Sequence, residues 1–186
     1  RATETTGGGT FTLQSTFTPN HDIAILKVQP STKSAYQGAI VNITVTVKNK
    51  GLNAESFSVT SFYNSSMIGL QGVSLVSGVT KNLTFTWNTS GISPSFYAVK
   101  AQASTVPNEY NTTNNLLYYT GTVQVKIPGD INGDGAVNIL DASLVSAHWY
   151  PGPPIGPLGY DSNSDINNDG AVNILDASII NNHWTH

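Results

Sequence analysis

The sequence predicts a mainly β fold, a two-sheet Greek-key sandwich, followed by a small α module of two loop–helix units. Three observations predict it. Between residues 22 and 127 about seven segments alternate apolar and polar residues, with turn signals between them. Residues 130–149, DINGDGAVNILDASLVSAHW, return at 165–184 as DINNDGAVNILDASIINNHW. Within each copy the alternation gives way to apolar residues at helical spacing.

Residues 1–21 form an N-terminal arm. RATETTGGG is polar and ends in three glycines, a flexible lead. In TFTLQSTF, Phe11, Leu13 and Phe17 share the apolar face of a predicted strand. Such a strand either caps its own sheet or adds to the exposed sheet edge of a neighbour. The sandwich spans 22–126. Its strands are expected at 22–28, 39–48, 56–63, beyond a hairpin at Ser65-Ser66, and at 79–87, 96–104 and 116–127. In 39–48, Val41, Ile43, Val45 and Val47 face inward, and Asn42, Thr44, Thr46 and Lys48 outward. Leu83, Phe85 and Trp87 repeat that spacing, as do Tyr97, Val99, Ala101 and Ala103, and then Leu117, Tyr119, Val123 and Val125.

Residues 127–186 hold the repeat. Each copy opens D-x-N-x-D-G. With Asp130 as position 1, Asn132 is 3, Asp134 is 5, Gly135 is 6, Ala136 is 7, Asn138 is 9 and Asp141 is 12. In the second copy the same places are Asp165, Asn167, Asp169, Gly170, Ala171, Asn173 and Asp176. This is the spacing of an EF-hand calcium loop. Calcium takes only oxygens. Alternate residues of a tight loop aim them at one centre, and glycine at position 6 permits the turn. Position 7 offers a backbone carbonyl, so Ala suffices there. Two loops predict two calcium ions. Position 12 is Asp rather than the usual Glu, which leaves the affinity open. VQVKIPG before the first loop and PGPPIGPLGYDSNS before the second are not helical, so each unit is half an EF-hand.

A tandem of loop–helix units with Asp at position 12 resembles a dockerin. That family implies calcium-loaded repeats that plug secreted proteins into cohesin domains. The resemblance covers about 127–186. The chain departs from dockerins of cellulose-degrading complexes at positions 10 and 11, which there are often hydroxyl residues. Here they are Ile139-Leu140 and Ile174-Leu175, and the segment has no Lys or Arg. On a helical wheel Leu140, Leu144, Ala147 and His148 oppose Ile139, Ala142, Val145 and Trp149. The second helix sets Leu175, Ile179 and His183 against Ile174, Ala177, Ile180 and Trp184. One stripe packs the repeats together. The other needs further cover, which makes Ile139, Val145, Trp149, Ile174, Ile180 and Trp184 candidate interface residues. The His-Trp pairs are expected to pack rather than to bind metal.

The sandwich also resembles a family, the cell-adhesion-related Ig-like domain (CARDB) of bacteria and archaea. The resemblance rests on DIAILKVQP, on the G-x-x-V-N-I-T-V-T-V-K-N-K-G strand, on F-T-W before a turn, and on V-P-N-E-Y-N-T-T-N-N. Glu109, Asn114 and Asn115 fall on that family's E…NN. It covers about 22–126 and implies an extracellular, non-catalytic module.

Composition agrees with export. Charged residues are 10% of the chain, against ~25% in ordinary soluble domains. Seven of the 11 acidic residues follow residue 127, with no Lys or Arg there, so two calcium ions would offset four of those charges. The weakly basic first part does not fit nucleic acid. There is no cysteine, so calcium takes the place of disulfides as the staple. No apolar run reaches the ~18 residues a membrane span needs. The start lacks a signal-peptide apolar region, so a mature prokaryotic secreted or cell-surface chain is expected. Sequons at Asn42, Asn64, Asn82, Asn88 and Asn111 mark candidate sites for attached glycans. No carboxylate pair, nucleophile elbow or phosphate loop is present, so no enzyme is expected. Three functions compete: docking to a cohesin-type partner, self-assembly into an extracellular filament through strand donation, and carbohydrate binding on Tyr97, Tyr118 and Tyr119.

Overall fold

The computed structural model describes residues 18–151 and 160–185. Its strands are Ile23–Pro30 (β1), Ser34–Tyr36 (β2), Ile40–Asn49 (β3), Glu55–Tyr63 (β4), Ser66–Leu75 (β5), Thr80–Asn88 (β6), Ser95–Ala103 (β7) and Leu116–Lys126 (β8). One sheet runs β1-β3-β6 and the other β2-β8-β7-β4-β5. The fold is therefore a β-sandwich with a small helical module after it. Strand β2 adds to the seven strands expected. It is three residues long, too short to show an alternation, and it pairs in parallel with the end of β8.

The alternation puts the expected residues inside. Val41, Ile43 and Val45 stand opposite Trp87, Phe85 and Leu83 across β3 and β6, and all six are buried. Val59, Val99, Ala101, Val123 and Val125 of the larger sheet complete this core. Trp87 stacks on Tyr63 at 4.8 Å and meets Tyr97 edge-on at 5.7 Å. The three tyrosines weighed for carbohydrate do not share a face. Tyr97 and Tyr119 pack against the core, whereas Tyr118 points out beneath the Lys100 ammonium. Adjacent strand residues alternate faces, so no stacking platform forms.

Phe11, Leu13 and Phe17 lie outside the described residues. Residues 19–22 belong to the sandwich. Their carbonyls accept from Leu52 (3.0 Å), Asn53 (3.0 Å), Tyr110 (2.8 Å) and Lys50 (2.7 Å). Gly51 admits this passage, since a Cβ there would stand 2.6 Å from the Asn20 carbonyl oxygen.

The C-terminal module has two helices, Ile139–Ala147 (α1) and Ile174–Asn182 (α2). Its own core is Val137, Val145, Ile166, Val172 and Ile180. Val145 and Ile180 are therefore not partner-facing. They are 2% and 1% exposed, because the helices turn that stripe toward each other. The repeats also clasp reciprocally. The backbone of Tyr150 pairs with that of Val172, and the Thr185 amide donates to the Val137 carbonyl at 2.8 Å. Among the described residues no helix is long and apolar enough to cross a membrane.

Candidate metal centre

Each loop is built on carboxylates that hold backbone amides. In the first, the Asp130 carboxylate accepts from Gly133 N at 2.8 Å and Gly135 N at 3.0 Å. Asp141 accepts from Ile131 N at 2.8 Å and Asn132 N at 3.2 Å on one oxygen, and from Asn138 N at 2.9 Å on the other. Between them run two side-chain turns, Asn132 accepting from Asp134 N and Asp134 from Ala136 N. The second loop repeats this with Asp165, Asn167, Asp169 and Asp176. Positive φ occurs at position 6, in Gly135 (89°) and Gly170 (87°), and also at position 4, in Gly133 (75°) and Asn168 (58°). Glycine and asparagine are the residues that tolerate this conformation.

Positions 9 and 12 have a second task that the spacing does not reveal. The Asn138 side chain accepts from Leu140 N at 2.8 Å while Asp141 accepts from Asn138 N, a capping box at the start of α1. Asn173 and Asp176 do the same for α2. At the other end the His148 and His183 rings sit 3.0 and 2.8 Å from the Leu144 and Ile179 carbonyl oxygens, so each histidine caps its helix C-terminus. Trp149 and Trp184 stay exposed.

The donor set fits calcium. Every candidate ligand atom is oxygen. Asp130, Asp141, Asp165 and Asp176 are buried, and no basic side chain forms an ion pair with any of the six loop aspartates among the described residues. Buried charge without a counter-charge is costly, and a divalent cation offsets it. Among the described residues no three His, Cys, Asp or Glu side chains gather tightly enough to hold an ion by themselves. The Asn132, Asn138, Asn167 and Asn173 side chains and the Ala136 and Ala171 carbonyls would have to complete each cage.

The entry to the second loop is reinforced. Tyr160 Oη donates to Asp165 at 2.9 Å. That bond, with burial, raises the Tyr160 phenol above its ordinary value. Burial alone would raise Asp161. The Ser164 hydroxyl, the Asn163 amide and nearby His148 outweigh it and hold the carboxyl below its ordinary value.

A family model for CARDB matches residues 20–118, more than half of the chain. The chain belongs to the CARDB family. A second model, the dockerin type I domain, matches residues 128–184. No curated protein matches. Among solved structures, the chain is similar to the CARDB domain of a Pyrococcus furiosus protein crystallised with di-metal ions. The identity is 24%, over 61% of this chain and 97% of that one, with a TM-score of 0.48. A cell surface protein domain from Methanosarcina acetivorans is 23% identical over 56% of this chain and 93% of its own, TM-score 0.45. A Listeria innocua β-glucosidase in complex with glucose is 14% identical over 56% of this chain but only 16% of its own, TM-score 0.41.

CARDB and dockerin domains are non-catalytic modules typical of extracellular or cell-surface proteins, and dockerin domains bind calcium. In this CARDB domain the E…NN residues are a clamp. Glu109 accepts from Ile23 N (3.1 Å), Val106 N (3.0 Å) and the Asn115 amide (2.8 Å), and Asn114 donates to Asp22 at 2.9 Å. They tie the β7–β8 connection to the start of β1. In the dockerin-like module, positions 10 and 11 are bare. Ile139, Leu140, Ile174 and Leu175 are 66, 56, 68 and 53% exposed. The wheel placed Leu140 and Leu175 on the stripe opposite Ile139 and Ile174. At the first turn of a helix that only begins there, both stripes lie open.

Proposed function

We propose that this chain is a non-catalytic extracellular assembly protein whose dockerin domain holds two calcium ions and docks to a cohesin-type protein partner. The two twelve-residue loops, Asp130 to Asp141 and Asp165 to Asp176, hold the ions, through Asp130, Asn132, Asp134, Ala136, Asn138 and Asp141 and their counterparts. The observation that carries the docking reading is the aliphatic quartet Ile139, Leu140, Ile174 and Leu175. All four are more than half exposed, and each pair directly precedes a ligand at position 12. Calcium would fix that residue, the residue starts the helix, and the helix presents the pair. With aliphatic side chains and no Lys or Arg in this segment, the complementary surface on the partner is apolar. Attached glycans fit the same setting. All five sequon asparagines use the side-chain oxygen as an acceptor, from Thr86, Ala98, Thr46, Ser90 and Thr113. None of the five side-chain amide nitrogens donates to a described residue.

Surface plasmon resonance against a panel of cohesin-type domains tests the reading, with calcium and with chelator. Binding in calcium that is lost in chelator and in Leu140→Asp/Leu175→Asp is expected. Binding indifferent to both would overturn it. Growth of the free chain into filaments in calcium would assign the docking face to copies of the chain itself.

A further inference from the structure

The three residues that join the domains are not a linker. Strand β8 ends at Lys126 and the first ligand is Asp130. Ile127 packs against the dockerin core and Gly129 is buried at φ 93°. A Cβ on Gly129 would stand 3.0 Å from Val137 Cγ1 and 3.2 Å from Ile180 Cα. The passage from sandwich to module thus runs through packed protein.

Strand β2 meets the same place from the side. It pairs Ser34 with Gln124, Ala35 with Val125 and Tyr36 with Lys126, and Gln37 N closes the pairing on the Lys126 carbonyl at 2.8 Å. Its last residue leaves the sandwich. The Tyr36 ring packs against the dockerin core, not the sandwich core. Its hydroxyl donates to the Asn163 carbonyl at 2.7 Å. The Lys126 ammonium lies 4.3 Å from the ring centroid, a cation–π contact. Asn163 sits in the Asp161–Ser164 turn, where Asp161 accepts the Asp165 amide through its backbone carbonyl. Asp165 is the first ligand position of the second loop. Burial and then Asp130, Asp161, Asp141 and Asp176 push the Tyr36 phenol far up, so it stays a donor.

We infer that Tyr36 is a positioning residue of the calcium module, supplied by the sandwich, so that calcium occupancy locks the β2–β8 corner and fixes the angle at which the docking face is presented. The inference rests on the calcium reading. Without the ions the loops carry unbalanced carboxylates and open. The Asp161–Ser164 turn then loses its anchor at Asp165, and Tyr36 loses its partner. With the ions bound, sandwich and dockerin domain move as one body.

Hydrogen–deuterium exchange of the full chain tests it, in calcium and in chelator, beside a calorimetric calcium titration. In the wild type, chelation should raise exchange at residues 34–37 and 124–127 and leave β3 unchanged. Tyr36→Phe keeps the ring and removes one hydrogen bond, so calcium affinity should fall about three- to tenfold. Tyr36→Ala should weaken it further and abolish the calcium dependence of exchange at 34–37. Tyr118→Ala, an outward-facing tyrosine of the same sandwich, should change neither. Corner exchange that ignores calcium in a wild type that binds it would overturn the inference and spare the calcium reading. Unchanged affinity in both Tyr36 variants would do the same. A wild type that takes up no calcium would overturn both.

Discussion

Asp141 and Asp176 each serve two structures. One carboxylate oxygen gathers amides at loop positions 2 and 3, and the other accepts the amide of the helix N-cap. Gly129 shows the reverse dependence, on having no side chain. Its φ of 93° disfavours any side chain, and a Cβ there would crowd the Val137 and Ile180 atoms. Gly129→Ala should destabilise the dockerin-like module by about 1–3 kcal/mol, read as a lower thermal midpoint in saturating calcium. Asp161 sets an acid response. Its folded value lies below the ordinary one. Its stabilisation is therefore fully present above the unfolded value of about 4 and is lost as pH falls through the folded value. The stability gap between the wild type and Asp161→Asn should be widest near neutrality and close on acidification, followed by thermal melts across that range.

At the scale of elements, the strands were legible and the joints were not. Val41, Ile43, Val45 and Val47 alternate without interruption, and burial of one face leaves the register no choice. Strand β2 was not legible, because Ser34–Tyr36 has no pattern and its partner is 90 residues away at Gln124–Lys126. The helices were legible as helices, from the repeat and from apolar residues at helical spacing. Which stripe faces inward was not. A wheel shows two apolar stripes, and only the reciprocal clasp of the repeats turns Val145 and Ile180 inward. Each helix has nine residues. Isolated helices shorter than ~12–15 residues are marginal in water, so α1 and α2 depend on the loops that cap them. Chelation should remove most of the helical signal in far-ultraviolet circular dichroism and leave the β contribution of the sandwich. Helicity that survives chelation would show the helices standing on their own packing.

At the scale of the whole molecule, the candidate ligand positions were readable because calcium needs oxygens at fixed intervals of one loop. The joint was hidden because Tyr36 and Asn163 are 127 residues apart and neither belongs to a motif. The chain that results is a sandwich with an acidic end. Charge is separated along it: no Lys or Arg follows Lys126. In the proposed function, docking depends first on the ions. Isothermal titration of the full chain with calcium tests that most directly, beside Asp134→Ala and Asp169→Ala, each of which removes one ligand. Two ions per wild-type chain, and one per chain in either variant, is the predicted result. A wild type that takes up none, or variants that bind as it does, would contradict the account.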